Sequence, residues 1–167
     1  MFSQKQIDEI KNYLAHVNGR IYIGCDSVLN RRFNLKTQTY EKWARFAVVL
    51  VVHIDNSRGC KIFSYVENER VYDAKMSKPT QRLMTEVYKS VDCFMALGDI
   101  IKNREVEIHL DVNSNDCHAS NAIAKQAIGY VKGMTNLDAL IKPNAWAGSS
   151  SADHFVRNKA ARYKRVL

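Results

Sequence analysis

Hydrophobic positions along the chain fall into a succession of helical and strand periods, and their order already suggests an architecture. Ser3 stands three residues before Gln6, a capping-box spacing, and Ile7, Ile10, Leu14 and Val17 then recur on one helical face until Asn18-Gly19. An amphipathic helix is predicted there, filling an N-terminal segment over residues 1–18. Ile21-Tyr22-Ile23-Gly24-Cys25-Asp26 reads as a short buried strand that ends in an acid. From Val28 to Lys42 the chain is polar and basic, whereas Trp43 to Ile54 reads as a long strand. Asp55-Asn56-Ser57-Arg58-Gly59 has turn chemistry, so Cys60 to Val66 is expected to pair back as a hairpin. Ser77 and Pro79 mark a second helix carrying Leu83, Met84, Val87, Tyr88, Val91, Phe94 and Met95, with Gly98 as its expected end. Val106 to Val112 alternates as a strand and also runs into an acid, Asp111. Ala119, Ala122, Ile123, Ala127 and Val131 predict a small-residue helix stopping at Gly133, and Leu137 to Ile141 a short strand halted by Pro143. A last helix is expected from about Ser149 to Arg165, capped by its serines. Helix, three strands, helix, strand, helix, strand, helix is the order of a mixed α/β sheet, and 167 residues without a linker or repeat suit one domain over 1–167.

Composition narrows the class. With 46% hydrophobic and 25% charged residues, wholesale disorder is excluded. The longest apolar run, Phe46 and then Ala47 to Val52, is far short of the roughly 20 residues that span a bilayer. The first residues lack the apolar stretch of a secretory signal, so the cytoplasm is the expected compartment. Cys25, Cys60, Cys93 and Cys117 form no close pair, which speaks for reduced thiols and against a zinc ribbon. Lys and Arg exceed Asp and Glu by 25 to 17, a net +8 that favours polyanionic partners.

Four acids stand where such a fold can gather them. Asp26 ends the first predicted strand, Asp111 lies near the end of the fourth, Glu86 borders the apolar stripe of the second helix, and Asp153 opens the last. A right-handed crossover would make the first and fourth strands parallel neighbours about 4.8 Å apart, setting Asp26 beside Asp111 at the carboxyl edge where open sheets bind ligands. Two carboxylates ~4 Å apart repel by about 4 kcal/mol at an effective dielectric of ~20. Converging acids therefore call for a cation, and oxygen-only ligands suit magnesium or manganese. Each acid also has a local account: turns at Asp26 and Asp111, a pair of Glu86 with Arg82 or Lys89, and the helix dipole at Asp153.

With these residues in view, the chain resembles the ribonuclease-H-like superfamily. Asp26, Glu86, Asp111 and Asp153 match its order of strand Asp, helix Glu, strand Asp and final-helix Asp. More narrowly, Ile-Tyr-Ile-Gly-Cys-Asp-Ser (21–27), Arg-Leu-Met-Thr-Glu (82–86), His-Leu-Asp-Val-Asn (109–113) and Pro-Asn-Ala-Trp-Ala-Gly-Ser-Ser-Ser-Ala-Asp (143–153) resemble the YkuK-type family. The resemblance implies a five-stranded mixed sheet, an antiparallel meander plus parallel strands, flanked by helices. It also implies a nuclease using two Mg2+ or Mn2+ ions held by those four acids on RNA, DNA or a hybrid, leaving a 5′-phosphate and a 3′-hydroxyl. Two departures stand out. Ser27 follows the first Asp where ribonucleases H usually have Gly, and no His lies between His118 and Asp153. A non-catalytic nucleic-acid binder that keeps the fold is the rival expectation.

Basic residues supply the expected contacts to the nucleic acid. Arg31, Arg32, Lys36, Lys42 and Arg45 are interleaved with Phe33, Tyr40 and Trp43, a mixture suited to phosphates and stacked bases. Of these Arg31, Arg32 and Lys36, together with Arg157 and Arg162 in the basic tail, are the named candidates. His109 is expected to be buried and hydrogen-bonded, and His154 to face away from the acids.

Overall fold

The protein is described by a computed structural model over residues 1–54, 59–72, 79–113 and 123–157. The elements run α1 (Gln4–His16), β1 (Gly19–Asn34), β2 (Thr39–Ile54), β3 (Cys60–Arg70), α2 (Thr80–Ile101), β4 (Val106–Asn113), α3 (Ala124–Thr135) and β5 (Leu140–Lys142). A π-helical turn, Ala147–Ala152, then leads into helix at 153–157. The five strands form one sheet in the order β3-β2-β1-β4-β5, with β2 antiparallel to β1 and β3, and β4 parallel to β1 and β5. This is the mixed α/β sheet that the order of periods predicts.

Strand alternation divides the interior. Ile21, Ile23 and Cys25 of β1 join Leu50 and Val52 in the larger core, which α1, α2 and α3 close with Ile10, Leu14, Val87, Val91, Ala127 and Val131. On the opposite face, Tyr22, Val49 and Val51 pack against Ala147, Ala152 and Val156 of the π-helical segment. Ala47 to Val52 is fully buried because the centre of the sheet is covered on both faces. No described helix is long and apolar enough to cross a membrane.

Several boundaries differ from expectation, each for a physical reason. β1 does not end at Asp26 but runs on through the polar stretch to Asn34. It pairs with β2 from Val28↔Arg45 to Asn34↔Thr39, with β3 alongside as far as Trp43↔Arg70, and the ribbon tip beyond is solvated on both faces and so carries no apolar alternation. Gly98 does not end α2, because Leu97 and Ile101 continue its buried stripe and Gly98 itself meets open space. Their burial outweighs the roughly 1 kcal/mol that a helical glycine costs. α3 likewise passes Gly133 and stops at Asn136, left-handed at φ 58°, whose N–H donates to Lys132 O at 3.0 Å. β5 is only three residues long, and it pairs with β4 through His109↔Leu140 and Asn113↔Lys142. Serines do not cap the final segment: it begins after Trp146 with no side-chain cap, and Ser149 to Ser151 lie inside the π-helical turn. The expected hairpin turn, the start of the third helix with Ala119 and Ala122, Cys117 and the basic tail beyond Arg157 lie outside the described residues.

Two glycines set how closely the π-helical turn approaches the sheet. A Cβ on Gly24 would lie 2.5 Å from Gly148 N and 2.8 Å from Ala147 C, both rigid backbone. A Cβ on Gly148 would in turn lie 3.1 Å from Cys25 O. Gly24→Ala is expected to lower unfolding stability in urea by about 3 kcal/mol, through overpacking, whereas Gly98→Ala should raise it by about 0.5–1 kcal/mol.

Candidate active site

β1 and β4 fork at their carboxyl ends. Hydrogen-bonded pairing between them ends at Gly24↔His109, and Asp26 and Asp111 each stand two residues beyond that pair. A cleft of about 320 Å³ opens there, lined by all four predicted acids together with Ser27, Arg82, Lys142, Ser149 and Arg157. Four separate parts of the chain thus bring Asp26, Glu86, Asp111 and Asp153 together: β1, α2, β4 and the exit of the π-helical turn.

Each acid is held differently. Glu86 is buried on α2, where its Oε1 accepts from Ser27 Oγ at 2.6 Å and from Arg82 Nη1 at 3.1 Å. The same Arg82 nitrogen donates to Ser27 Oγ at 2.7 Å, closing a compact Ser-Glu-Arg triangle. Burial pushes the Glu86 carboxyl up to about 8, against the pull of the Ser27 hydroxyl and the Arg82 guanidinium toward the charged form. Asp26 is raised to about 6, chiefly by burial. The Ser27 N–H, 2.8 Å from Asp26 Oδ1, acts in the opposite direction, while the nearby Asp111 and Asp153 raise it further. Asp111 pairs with Lys142 Nζ from β5, and Asp153 with Arg157 Nε one turn along its own helix.

The cleft therefore has its own balance of charge, four acids against Arg82, Lys142 and Arg157. Its donor set is the hard, all-oxygen kind that divalent magnesium and manganese take. Three of the four carboxylates are engaged by these cations, and among the described residues no group of three or more His, Cys, Asp or Glu side chains forms a metal cage. Of the two partners that the sequence offers Glu86, Arg82 is the one used. Lys89 instead reaches Glu67 and Glu69 on β3.

His109 is buried as expected, and its contacts explain why. Its Nδ1 accepts the backbone N–H groups of Trp146 and Ala147 at 3.3 and 3.2 Å, which leaves Nε2 to carry the proton and donate to Glu107 Oε2 at 3.1 Å. Tyr22 and Trp146 pack around the ring. Burial lowers its pKa despite Glu107, consistent with a neutral imidazole. His109 thus pins the start of the segment that delivers Asp153. His154 is exposed, beside Phe155.

The expected nucleic-acid contacts are dispersed. Arg157 lies in the cleft on Asp153, Arg31, Arg32 and Lys36 are exposed on the β1–β2 ribbon, and Arg162 is outside the described residues. Lys142 was not singled out by sequence reasoning, because only its pairing at the far edge of the sheet carries it to Asp111. Gly24 and Gly148 were also missed, although a glycine inside a strand is a general sign of close backbone approach.

A family model described as Ribonuclease H-like matches residues 4–157. No curated protein and no solved structure gives a significant match.

Two outcomes are expected. Asp26 and Glu86 bind more protons in the folded chain than at the unfolded reference values near 4, so metal-free stability should fall as pH rises from about 4 to 6 for Asp26 and on to about 8 for Glu86. Asp26→Asn removes the first part of this slope and should be more stable than wild type at pH 7 by about 1–2 kcal/mol, read from denaturant midpoints in chelator. His109→Ala leaves two buried N–H groups without an acceptor and should cost about 2–4 kcal/mol in the same measurement.

Proposed function

The chain belongs to the ribonuclease H-like family, and from that membership we propose that it is a metal-dependent nuclease hydrolysing nucleic-acid phosphodiester bonds in the cleft at the fork of β1 and β4. One observation carries the reading: four acids spread over 128 positions of sequence, from Asp26 to Asp153, line a single cleft. Asp26, Glu86, Asp111 and Asp153 would hold two Mg2+ or Mn2+ ions there. When bound, such ions supply Lewis-acid activation of water and of the scissile phosphate.

The chain's own residues do the rest. Asp26 and Glu86 are partly desolvated carboxylates whose charged forms gain most from a cation, so protons leave both as ions are bound. Ser27 and Arg82 fix the Glu86 carboxylate in orientation. Lys142 and Arg157 hold Asp111 and Asp153 and line the same cleft, where their charges would also suit phosphate oxygens. Ser27 Oγ is not disposed as an activated nucleophile, since it donates to a carboxylate and receives Arg82. The proposed chemistry is therefore positioning and charge compensation, without a covalent intermediate. The likeness to the YkuK-type family belongs to this proposal. It is supported by the motif at 143–153, the segment that His109 pins and that ends on Asp153.

One observation favours the second reading, a non-catalytic nucleic-acid binder. Arg82, Lys142 and Arg157 already neutralise three of the four acids. A single set of assays separates the two readings: cleavage of single-stranded, duplex, hybrid and branched substrates with Mg2+, with Mn2+ and with chelator. The nuclease reading expects metal-dependent cleavage that Asp26→Asn or Asp111→Asn reduces to the chelator background while the circular dichroism spectrum is unchanged. Cleavage retained by the purified double variant would overturn the assignment of these acids.

A further inference from the structure

We propose that the β1–β2 ribbon is a stacking platform for the unpaired bases of a nucleic-acid strand whose phosphodiester is presented to the cleft. The inference rests on the nuclease reading for the fate of the strand, but not for its capture.

Beyond Trp43↔Arg70, the last pair with β3, the Val71 N–H still donates to Lys42 O at 2.9 Å, while pairing of β1 with β4 has already ended at Gly24. Among the described residues no strand pairs with the ribbon further out, and it continues by four residues of each strand, roughly 14 Å, before the turn at 35–38. Its two faces differ in how their charges are used. On one, Arg32 lies 4.6 Å from the centroid of Trp43 and directly across from Glu41, which also takes Asn34 Nδ2 at 2.7 Å, Trp43 Nε1 at 3.2 Å and Arg70 at 3.1 Å. On that face Glu41 thus gathers its partners from within the protein.

The other face carries Ser27, Leu29, Arg31 and Phe33 in strand alternation, so it begins at the cleft. Leu29 packs on the core beside buried Ala44. The next pair outward sets two basic residues, Arg31 and Lys42, directly opposite one another. Arg31 has no ion-pair partner among the described residues. One step further, Phe33 and Tyr40 form an edge-to-face pair with centroids 5.1 Å apart, yet Phe33 is 45% and Tyr40 71% exposed.

Two like charges followed by two exposed aromatic rings on one face complement a strand of phosphates and flat bases, not an apolar or cationic surface. Base edges inside a duplex cannot offer their faces to the rings, so unpaired bases are the chemistry selected. Phe33 lies seven residues beyond Asp26, about 24 Å of strand, which about seven stacked nucleotides would span at 3.4 Å each.

The test is fluorescence anisotropy in chelator with labelled oligonucleotides of about 15 nucleotides, a length within the usual footprint of such sites. Wild type should bind single-stranded DNA or RNA more tightly than a blunt duplex of equal length. Phe33→Ala with Tyr40→Ala should weaken single-strand binding about tenfold or more, while duplex binding changes little. Phe33→Tyr with Tyr40→Phe should restore it, and circular dichroism should show all variants folded. Unchanged single-strand affinity in the alanine variant, a preference for duplex, or no binding by wild type would each overturn the platform. So would a change in sedimentation alone, which would make the ring pair a contact between copies of this chain. Binding without metal-dependent cleavage would remove the nuclease reading and leave the platform standing, whereas cleavage with unchanged affinity in the alanine variant would do the reverse.

Discussion

Mutual repulsion among four carboxyl groups at the fork of two parallel strands is the constraint around which this protein is arranged. Left alone, such a group would spread or protonate. The fold counters with rigid supports: a central sheet buried on both faces, a long helix holding Glu86 through Arg82 and Ser27, and glycines at 24 and 148 that let the final segment close directly on the sheet. It also counters with charge, since Arg82, Lys142 and Arg157 line the same cleft as the acids. A site of this kind is stable only while something positive occupies it, and the protein's own side chains do so by default.

Most of the fold was legible because its centre is periodic. Ile21 to Cys25, Val48 to Val52 and the α2 stripe carry apolar residues at spacings that only burial explains, and the parallel placement of β1 and β4 followed from the handedness of a crossover. What was not legible depended on balances that spacing does not encode. Gly98 and Gly133 resemble stop signals, but Leu97 and Ile101 or the Asn136 turn decided where the helices end. The ribbon at 28–42 was hidden because strands exposed on both faces have no binary pattern. At the site, the convergence of the acids could be read from their order along the elements, and Arg82 could be offered as a partner of Glu86 but not chosen over Lys89. Lys142 could not be offered at all: it is one lysine or arginine residue among 25, distinguished only by where the sheet edge brings it.

The two faces of the sheet have different tasks. The helical face supplies stability through a broad apolar contact and contributes one acid. The opposite face has a smaller core of Tyr22, the inner valines and the alanines of the π-helical turn, and it sets position. His109 joins the two tasks, since its ring is part of β4 while its Nδ1 terminates the backbone of the segment that follows β5. Its geometry needs a neutral imidazole, and the surrounding Tyr22 and Trp146 exclude the water that would stabilise any other form.

The π-helical turn has a consequence for how the length of this segment can vary. Six residues, Ala147–Ala152, are wound more widely than an α-helix would wind them, and Asp153 emerges at the phase this winding sets. The wider winding takes up one residue more than an α-helix would over the same rotation, so deleting a single alanine or serine there would let the turn relax to α geometry with later side chains near their present phase, whereas losing a second would swing them by about 100° around the axis. Chain length between Pro143 and Asp153 is thus itself an encoded quantity, as consequential as the identity of the carboxylate at its end.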